Sequence, residues 1–395
     1  MSQNNHIYDV VVIGGGPGGL VTAYQCSKNG LSTLVLERDR EIGVPVRCAE
    51  GIMNKALDEL GEIPESVIAS QIKQINIIPP NKIPITVHSP SKGVILHREL
   101  FDKFLAKKAL MYGTKILLKH DVKSATYDES KQLFNISIRN QEQVYQSRIL
   151  VAADGIDSQV GRWFGMSQQL SLADIDSCAQ YLVYDKTIID GQCSFIFDNN
   201  YAPGGYVWIF TKGANTANIG LGVNPQRAEK PAQDYLDNFL KDYYPHSNSL
   251  RLTCGGVPVR QTNPILVKNR VMLVGDSAYQ TNAISGGGID TAISAGILCG
   301  QTIAKAVTQK GIDDKKLLAY QNKWHAKHKN KEKIEQIIKD KIVAASNPKL
   351  DKYFDIIRDI SLEELNVLNI FKTLIVKNPK LFAKVSTKVF FDFLK

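Results

Sequence analysis

No C-x-x-C pair occurs among the six cysteines, Cys26, Cys48, Cys178, Cys193, Cys254 and Cys299. Zinc ribbons and iron–sulfur clusters use such paired thiolates, so neither metal class is expected. His325 and His328 stand three apart on a predicted helix with no further ligand nearby, the pattern of a solvated face rather than a metal site. No window approaches the run of about 20 apolar residues that a spanning helix requires. Repeats and low-complexity tracts are missing too. Positive charge is in excess: 48 basic against 39 acidic residues leave a formal +9, which suits anionic partners such as phosphates or a lipid surface. No helix-turn-helix, zinc-finger or aromatic RNA-binding signature accompanies that charge, and nucleic acid is set aside. A polar start passes straight into Val10-Val11-Val12-Ile13, too short a run for a signal-peptide core, so a cytoplasmic location is expected.

At 395 residues, 44% of them apolar, the chain can form two or three layered domains. Residues 9–13 read as a buried strand, followed by glycines and by a helix from about Gly18 to Asn29-Gly30. Leu34-Val35-Leu36 reads as a second strand. Two more apolar strands end in acidic turns, 149–153 before Asp154-Gly155 and 271–274 before Gly275-Asp276. Ligands bind at the carboxyl ends of parallel strands, so three distant stretches are expected to build one site. Between them, 71–78, 83–88, 94–96, 180–184, 194–197, 206–210 and 218–223 are rich in β-branched and aromatic residues. That texture predicts an antiparallel sheet. From Asp290 onward the pattern is helical and lysine-rich. The fold class is therefore α/β. A discontinuous Rossmann-like dinucleotide-binding domain takes 1–70, 97–170 and 257–300; an antiparallel-sheet substrate domain takes 71–96 and 171–256; a helical C-terminal region takes 301–395.

Gly14-Gly15-Gly16-Pro17-Gly18-Gly19 satisfies G-x-G-x-x-G with a strand before it and a helix after it. Missing side chains let the backbone approach a pyrophosphate, and the helix N-terminus favours its charge. Glu37 closes the second strand 18 residues beyond Gly19, where a carboxylate meets the hydroxyls of an adenosine ribose. The motif alone does not separate FAD from NAD. Arg98 opens a helix directly after a strand and is placed to meet a phosphate or ribose. Asp154 and Gly155, and then Gly275 and Asp276, form the acidic turns. Gly286, Gly287, Gly288 and Ile289 open a helix ten residues after Asp276. An aspartate facing a ribityl chain, then a helix aimed at a flavin ring, is chemically sensible, because the positive helix end stabilises charge on the reduced ring. Ala292, Ser294, Ala295, Gly296 and Gly300 keep that helix slim for close packing. Each turn alone is as easily structural as functional; their order is the signal.

This order and spacing resemble the flavoprotein hydroxylase superfamily, whose type fold is that of para-hydroxybenzoate hydroxylase, over roughly the first 300 residues. Within it the geranylgeranyl reductase family, digeranylgeranylglycerophospholipid reductases included, is a closer match. Pro45-Val46-Arg47-Cys48-Ala49-Glu50-Gly51 is similar to that family's segment beside the flavin ring. Pro203-Gly204-Gly205-Tyr206-Val207-Trp208-Ile209-Phe210 is similar to its P-x-x-Y-x-W-x-F-P signature, and 282–289 to its N-P-x-x-G-G-G-I stretch. Thr211 and Ala283 stand where those patterns have proline, at positions expected to shape pocket walls. The resemblance implies FAD as cofactor, with Arg38, Arg47, Ala49, Gly51 and Val122 joining the residues already named around it. Cys48 by itself reads as a small buried residue; the resemblance places it against the ring. Tyr206, Trp208 and Phe210 alternate on a strand and point to one face, which alone reads as sheet core. The resemblance makes them the substrate wall.

The implied reaction is hydride transfer from reduced FAD to one carbon of an isoprenoid (geranylgeranyl-type) double bond of a prenyl lipid or prenyl diphosphate, with protonation of the other. Such an alkene has no carbonyl to polarise it, so positioning and water exclusion carry the catalysis. The π faces of Tyr206 and Trp208 would stabilise positive character. Cys48, Tyr206 or an ordered water are candidate proton donors. One dinucleotide fingerprint is present, so electrons come from transiently bound NAD(P)H or from a redox protein. Two rivals share the fold: an aromatic monooxygenase, and a prenyl-lipid escort protein without flavin chemistry. At the C-terminus, Leu381, Val385, Val389 and Phe393 form an i, i+4 stripe beside Lys380, Lys384 and Lys388. That helix would lie on an anionic membrane, at its inner face, or dock on its own domain.

Overall fold

Three consecutive valines and Ile13 leave the second half of the strand Ile7–Ile13 no polar side chain to solvate, and residues 10–13 are buried. It pairs in parallel with Thr33–Leu36 on one side and Val144–Ala152 on the other. The computed structural model describes residues 6–88, 93–167, 169–308 and 311–358. They fall into two compact units: residues 6–69, 93–171 and 257–326 in the first, 70–88, 172–256 and 327–358 in the second.

The first unit's main sheet runs Val267–Lys268, Val271–Leu273, Val144–Ala152, Ile7–Ile13, Thr33–Leu36, Lys115–Leu117. Its central strands are parallel and end together at Ile13, Leu36, Ala152 and Leu273. An antiparallel hairpin, Val122–Asp128 with Leu133–Ile138, continues from Val144–Ala152. The helix Pro17–Lys28 starts with proline in its first turn and is followed by Gly30 at φ +81°. It packs on the helix Ile289–Ala306 through small residues. A Cβ on Gly296 would lie 2.8 Å from the Gly18 carbonyl oxygen, and one on Gly300 2.5 Å from Gln25 Cβ. Ala292 and Ala295 are buried as well. Ser294 points elsewhere, its hydroxyl 3.3 Å from Glu59 Oε2.

The second unit holds a seven-stranded sheet in the order Asn248–Pro258, Ile175–Tyr184, Thr216–Val223, Tyr206–Thr211, Gln192–Ile196, Gln74–Ile78, Ile85–His88. Gln192–Ile196 runs parallel to Gln74–Ile78, so the sheet is not antiparallel throughout as the sequence texture suggested. Composition reports a half-buried strand but not the direction of a partner more than a hundred residues away. The strand Gly93–Leu96 lies outside this sheet and pairs with Gly51–Met53 in the first unit. One sheet face carries Val183, Val207, Ile219 and Leu221 under Leu236 and Phe239 of the helix Ala232–Tyr243.

The C-terminal helices do not form a region of their own. Asp314–Val343 is shared between the units, and Asn347–Arg358 belongs to the second. Asn347 is tied to Asp198 and Asn199, and Phe354 meets Phe197 with ring centroids 4.7 Å apart. The lysine-flanked stripe from Leu381 to Phe393 lies outside the described residues. None of the described helices is long and apolar enough to cross a membrane.

His328, on the long helix, is pushed down from 6.5 to about 4 by burial and by Lys327 and Lys331. The unfolded chain therefore takes up this proton first as pH falls, and stability is lost between about 6.5 and 4. His328→Gln should flatten that part of the profile, read as a smaller drop in urea midpoint between pH 7.5 and pH 5 than in the parent.

Candidate active site

At the carboxyl end of the first unit's parallel strands, Gly14 adopts φ +108° and a Cβ there would lie 2.1 Å from the Ala153 carbonyl oxygen. A Cβ on Gly19 would come equally close, 2.1 Å, to the Gly14 oxygen. These glycines are demanded by backbone packing. Gly16 and Gly155 differ: nothing lies within 4 Å of a Cβ built on either, so both border open space above the helix Pro17–Lys28. Glu37 is half-buried, its Oε2 accepting the Gly15 N–H at 2.5 Å and its Oε1 the Asp39 N–H at 2.8 Å. Each carboxylate oxygen keeps a further lone pair.

A cavity of about 260 Å³ runs from Glu37 and the exposed Arg38 past Arg47 and Val122 to Asp154. A second, of about 200 Å³, continues it past Pro17, Gly18 and Cys48 to Asp276, Gly286 and Ile289. Gly16, Arg98, Ala153 and Gly155 line both, so the three distant stretches meet along one groove. Gly275 and Gly288 border its second half, whereas Ala49, Gly51 and Gly287 stand outside the lining.

Arg98 stands where the cavities join. Its Nε and Nη2 make paired bonds of 2.9 and 2.8 Å to the two carboxylate oxygens of Asp102, one helical turn on. The backbone N–H of Arg98 donates to Glu50 Oε1 at 3.0 Å, giving the start of the helix Arg98–Met111 a carboxylate cap. Glu50 is itself 1% exposed and held at φ +73°. Its N–H donates to Cys48 Sγ at 3.2 Å. Burial pushes the Cys48 thiol up while the Arg98 charge pulls it down, and burial wins. Sequence reasoning named Arg98 and Cys48 but missed Asp102 and Glu50. The i, i+4 spacing from Arg98 to Asp102 was a readable signal; the left-handed Glu50 was not.

The acidic turns are braced from behind. Asp154 Oδ2 accepts the N–H groups of Gln159 and Val160 at 2.8 and 3.2 Å, and its buried Oδ1 has no hydrogen-bond partner. Gly275, at φ +72°, donates its N–H to Gln280 Oε1 at 2.8 Å; Gln280 Nε2 in turn donates to Tyr320 Oη at 2.9 Å. Asp276 lies against the start of the helix Ile289–Ala306, since a Cβ on Gly288 would sit 3.2 Å from its Oδ1. Burial raises the Asp276 pKa, with Arg98 opposing.

In the second unit, Tyr206, Trp208 and Phe210 share one sheet face, with Phe195 between Tyr206 and Phe210 at ring distances of 5.6 and 5.3 Å. Trp208 and Phe210 are buried and Tyr206 is half-buried. On the strand Ile175–Tyr184, two over from Tyr206–Thr211, Asp176 pairs with Lys339 of the long helix, both buried. Thr211 is buried, its hydroxyl accepting the N–H of Gly191 at 3.1 Å and of Gln192 at 3.2 Å, a role proline could not fill. Ala283 is buried next to Asn282, whose side chain accepts the N–H groups of Ile284 and Ser285 at 3.0 and 2.9 Å. Among the described residues no cluster of three or more His, Cys, Asp or Glu side chains could hold a metal.

Residues 7–177 match the FAD binding domain family, so the protein is an FAD-dependent oxidoreductase on a flavoprotein fold. Residues 174–257 match the geranylgeranyl reductase catalytic domain family. Digeranylgeranylglycerophospholipid reductase 1 of Methanococcoides burtonii is 34% identical over 381 residues, covering 95% of this chain and 93% of its own. The digeranylgeranylglycerophospholipid reductase of Methanospirillum hungatei is 35% identical, covering 96% of each chain. The crystal structure of a geranylgeranyl bacteriochlorophyll reductase-like protein from Thermoplasma acidophilum superimposes with a TM-score of 0.90 at 30% identity, covering 96% of this chain and 98% of that one. The chain belongs to the geranylgeranyl reductase family. A flavin-dependent halogenase, at 16% identity and TM-score 0.72 with 94% and 90% coverage, shares the fold.

A thiol held neutral is a poor nucleophile. Brief treatment with iodoacetamide at pH 7 should therefore leave Cys48 unmodified while exposed Cys254 is alkylated, as peptide mass spectrometry would show.

Proposed function

We propose that the enzyme adds hydrogen to the double bonds of geranylgeranyl-type chains on a glycerophospholipid. The observation that carries this reading is a coincidence of position: the stretch that matches the geranylgeranyl reductase catalytic domain, 174–257, is the stretch that builds the sheet face of Tyr206, Trp208 and Phe210. Three aromatic side chains without a charged group among them suit a polyisoprenoid chain and exclude water.

The groove of the first unit fits FAD in shape and in donor set. Open space lies over Gly16 at the end of a helix whose N-terminal amides attract a pyrophosphate, flanked by Gly14, Gly18 and Gly19, with Pro17 in the first turn. Glu37 keeps lone pairs for ribose hydroxyls, with Arg38 and Val122 beside it. Arg98, fixed by Asp102, offers positive charge where the two cavities join. Asp154, with one orphaned oxygen, Gly155, Gly275 and Asp276 suit the polyol between phosphate and ring. Cys48 lines the second cavity, to which Gly286, Gly288 and Ile289 bring the positive end of a helix; Arg47 lines the first, and Ala49, Gly51 and Gly287 neighbour these residues in the chain. When bound and reduced by the electron donor, FAD would supply a hydride to one alkene carbon. Cys48 of the first unit and Tyr206 of the second are both kept protonated by burial, and they are the candidate proton donors. The π faces of Tyr206 and Trp208 stabilise positive character in the chain. The electron donor is NAD(P)H or a redox protein. The substrate's home is an anionic bilayer, which the +9 charge and the six lysines of 370–395 favour.

Full-length protein should float with anionic liposomes, and a chain truncated at Asn378 should float less; equal flotation removes the tail from the membrane contact. Trp208→Ala should keep its flavin while turnover of a geranylgeranyl-bearing phospholipid falls about tenfold or more. Unchanged turnover would end the aromatic-wall assignment.

A further inference from the structure

Strand register sets Cys178, Gly222 and Tyr206 in one row across the second unit's sheet, and Gln180, Gly220 and Trp208 in the next. Their side chains share the face opposite Val207, Ile219 and Leu221. The middle strand therefore presents no side chain in either row, and the Trp208 indole lies in that gap. A Cβ on Gly220 would stand 2.5 Å from Trp208 Cζ2 and 2.7 Å from the Ala179 oxygen. A Cβ on Gly222 would stand 3.2 Å from Cys178 Sγ and 4.0 Å from Trp208 Cζ3. Across the gap, Gln180 Oε1 accepts the indole N–H at 2.8 Å, and both residues are buried. The indole has this one donor and no other, so its direction follows the acceptor. A tryptophan that merely filled a core would pack on apolar side chains. Here the strand beneath gives up two side chains, and an amide meets the ring edge.

We propose that Gln180 and Gly220 are positioning residues that fix the tilt of the Trp208 ring, and with it the seat of the prenyl double bond. This rests on reading Trp208 as part of the prenyl wall. Removing the acceptor leaves a buried N–H that turns the ring toward another partner, and adding a Cβ at Gly220 lifts the ring off the sheet. Either displacement is small, but a misplacement of about 1 Å is enough to cost a large factor in rate.

The test uses the FAD-loaded full chain, reduced anaerobically and mixed with a geranylgeranyl-bearing phospholipid in detergent micelles; flavin absorbance reports reoxidation. Gln180→Met keeps the volume and removes the acceptor, and should slow the limiting rate about tenfold with flavin content retained and half-saturating lipid nearly unchanged. Gln180→Glu restores an oxygen and should remain within about threefold of the parent. In a Trp208→Ala background Gln180→Met should cost nothing further, since the two act as a unit. A parental rate in Gln180→Met, equal losses in the Met and Glu variants, or multiplied losses in the double variant would each overturn the inference. Should Gln180→Met lose its flavin, Gly220→Ala carries the test, and a parental rate there overturns it. If Trp208→Ala itself runs at the parental rate, the wall reading and this inference fall together. If Trp208→Ala is slow and Gln180→Met is not, this inference alone falls.

Discussion

Two carbonyl oxygens decide the architecture of the first unit. The oxygens of Ala153 and Gly14 occupy the places that side chains at Gly14 and Gly19 would need, so strand, turn and helix touch backbone to backbone. Close contact lowers the helix Pro17–Lys28 onto the sheet. Gly296 and Gly300 then let Ile289–Ala306 settle against it, and that second helix brings Gly288 and Ile289 to the groove. Protein interiors are packed too densely for such shifts to be absorbed elsewhere. A side chain at any of these positions would therefore move the far end of the groove as well as the near one.

The second unit reaches its binding surface by different means. Its face is set by strand register rather than by helix ends, and a register slip of one residue would send Tyr206, Trp208 and Phe210 to the opposite side. The buried Lys339–Asp176 pair joins this sheet to the long helix. Burial raises the Asp176 pKa and the lysine opposes it. A pair of that kind adds little net stability compared with apolar packing, but breaking one partner leaves a costly lone charge, so the contact has few alternatives.

Much of the first unit was legible in the sequence because its signals are local. The G-x-G-x-x-G turn, the strand before it, the helix after it and Glu37 lie within about thirty residues and obey one geometric rule. The acidic turns at Asp154 and Asp276 were legible as ends of apolar strands. What escaped depends on partners distant in the chain. Nothing near Gln74–Ile78 announces that it runs parallel to Gln192–Ile196, and nothing in Gly93–Leu96 tells which sheet it joins. Glu50 in a left-handed conformation and Gln180 as a partner for an indole are tertiary facts about ordinary residues. Gly220 and Gly222, two apart on a strand and hence on one face, were the readable clue to the gap that Trp208 fills.

The interleaving of the two units bears on how the chain is made. The first unit's parallel sheet lacks the strand Val271–Leu273 until that segment leaves the ribosome, and the second unit's Gln74–Ile78 waits for Gln192–Ile196. Such long-range pairings fold slowly and keep strand edges uncovered while synthesis continues. Neither unit can be isolated by cutting the chain once. A free-standing version of either would have to be spliced from separate pieces, with a short bridge replacing each excursion into the other.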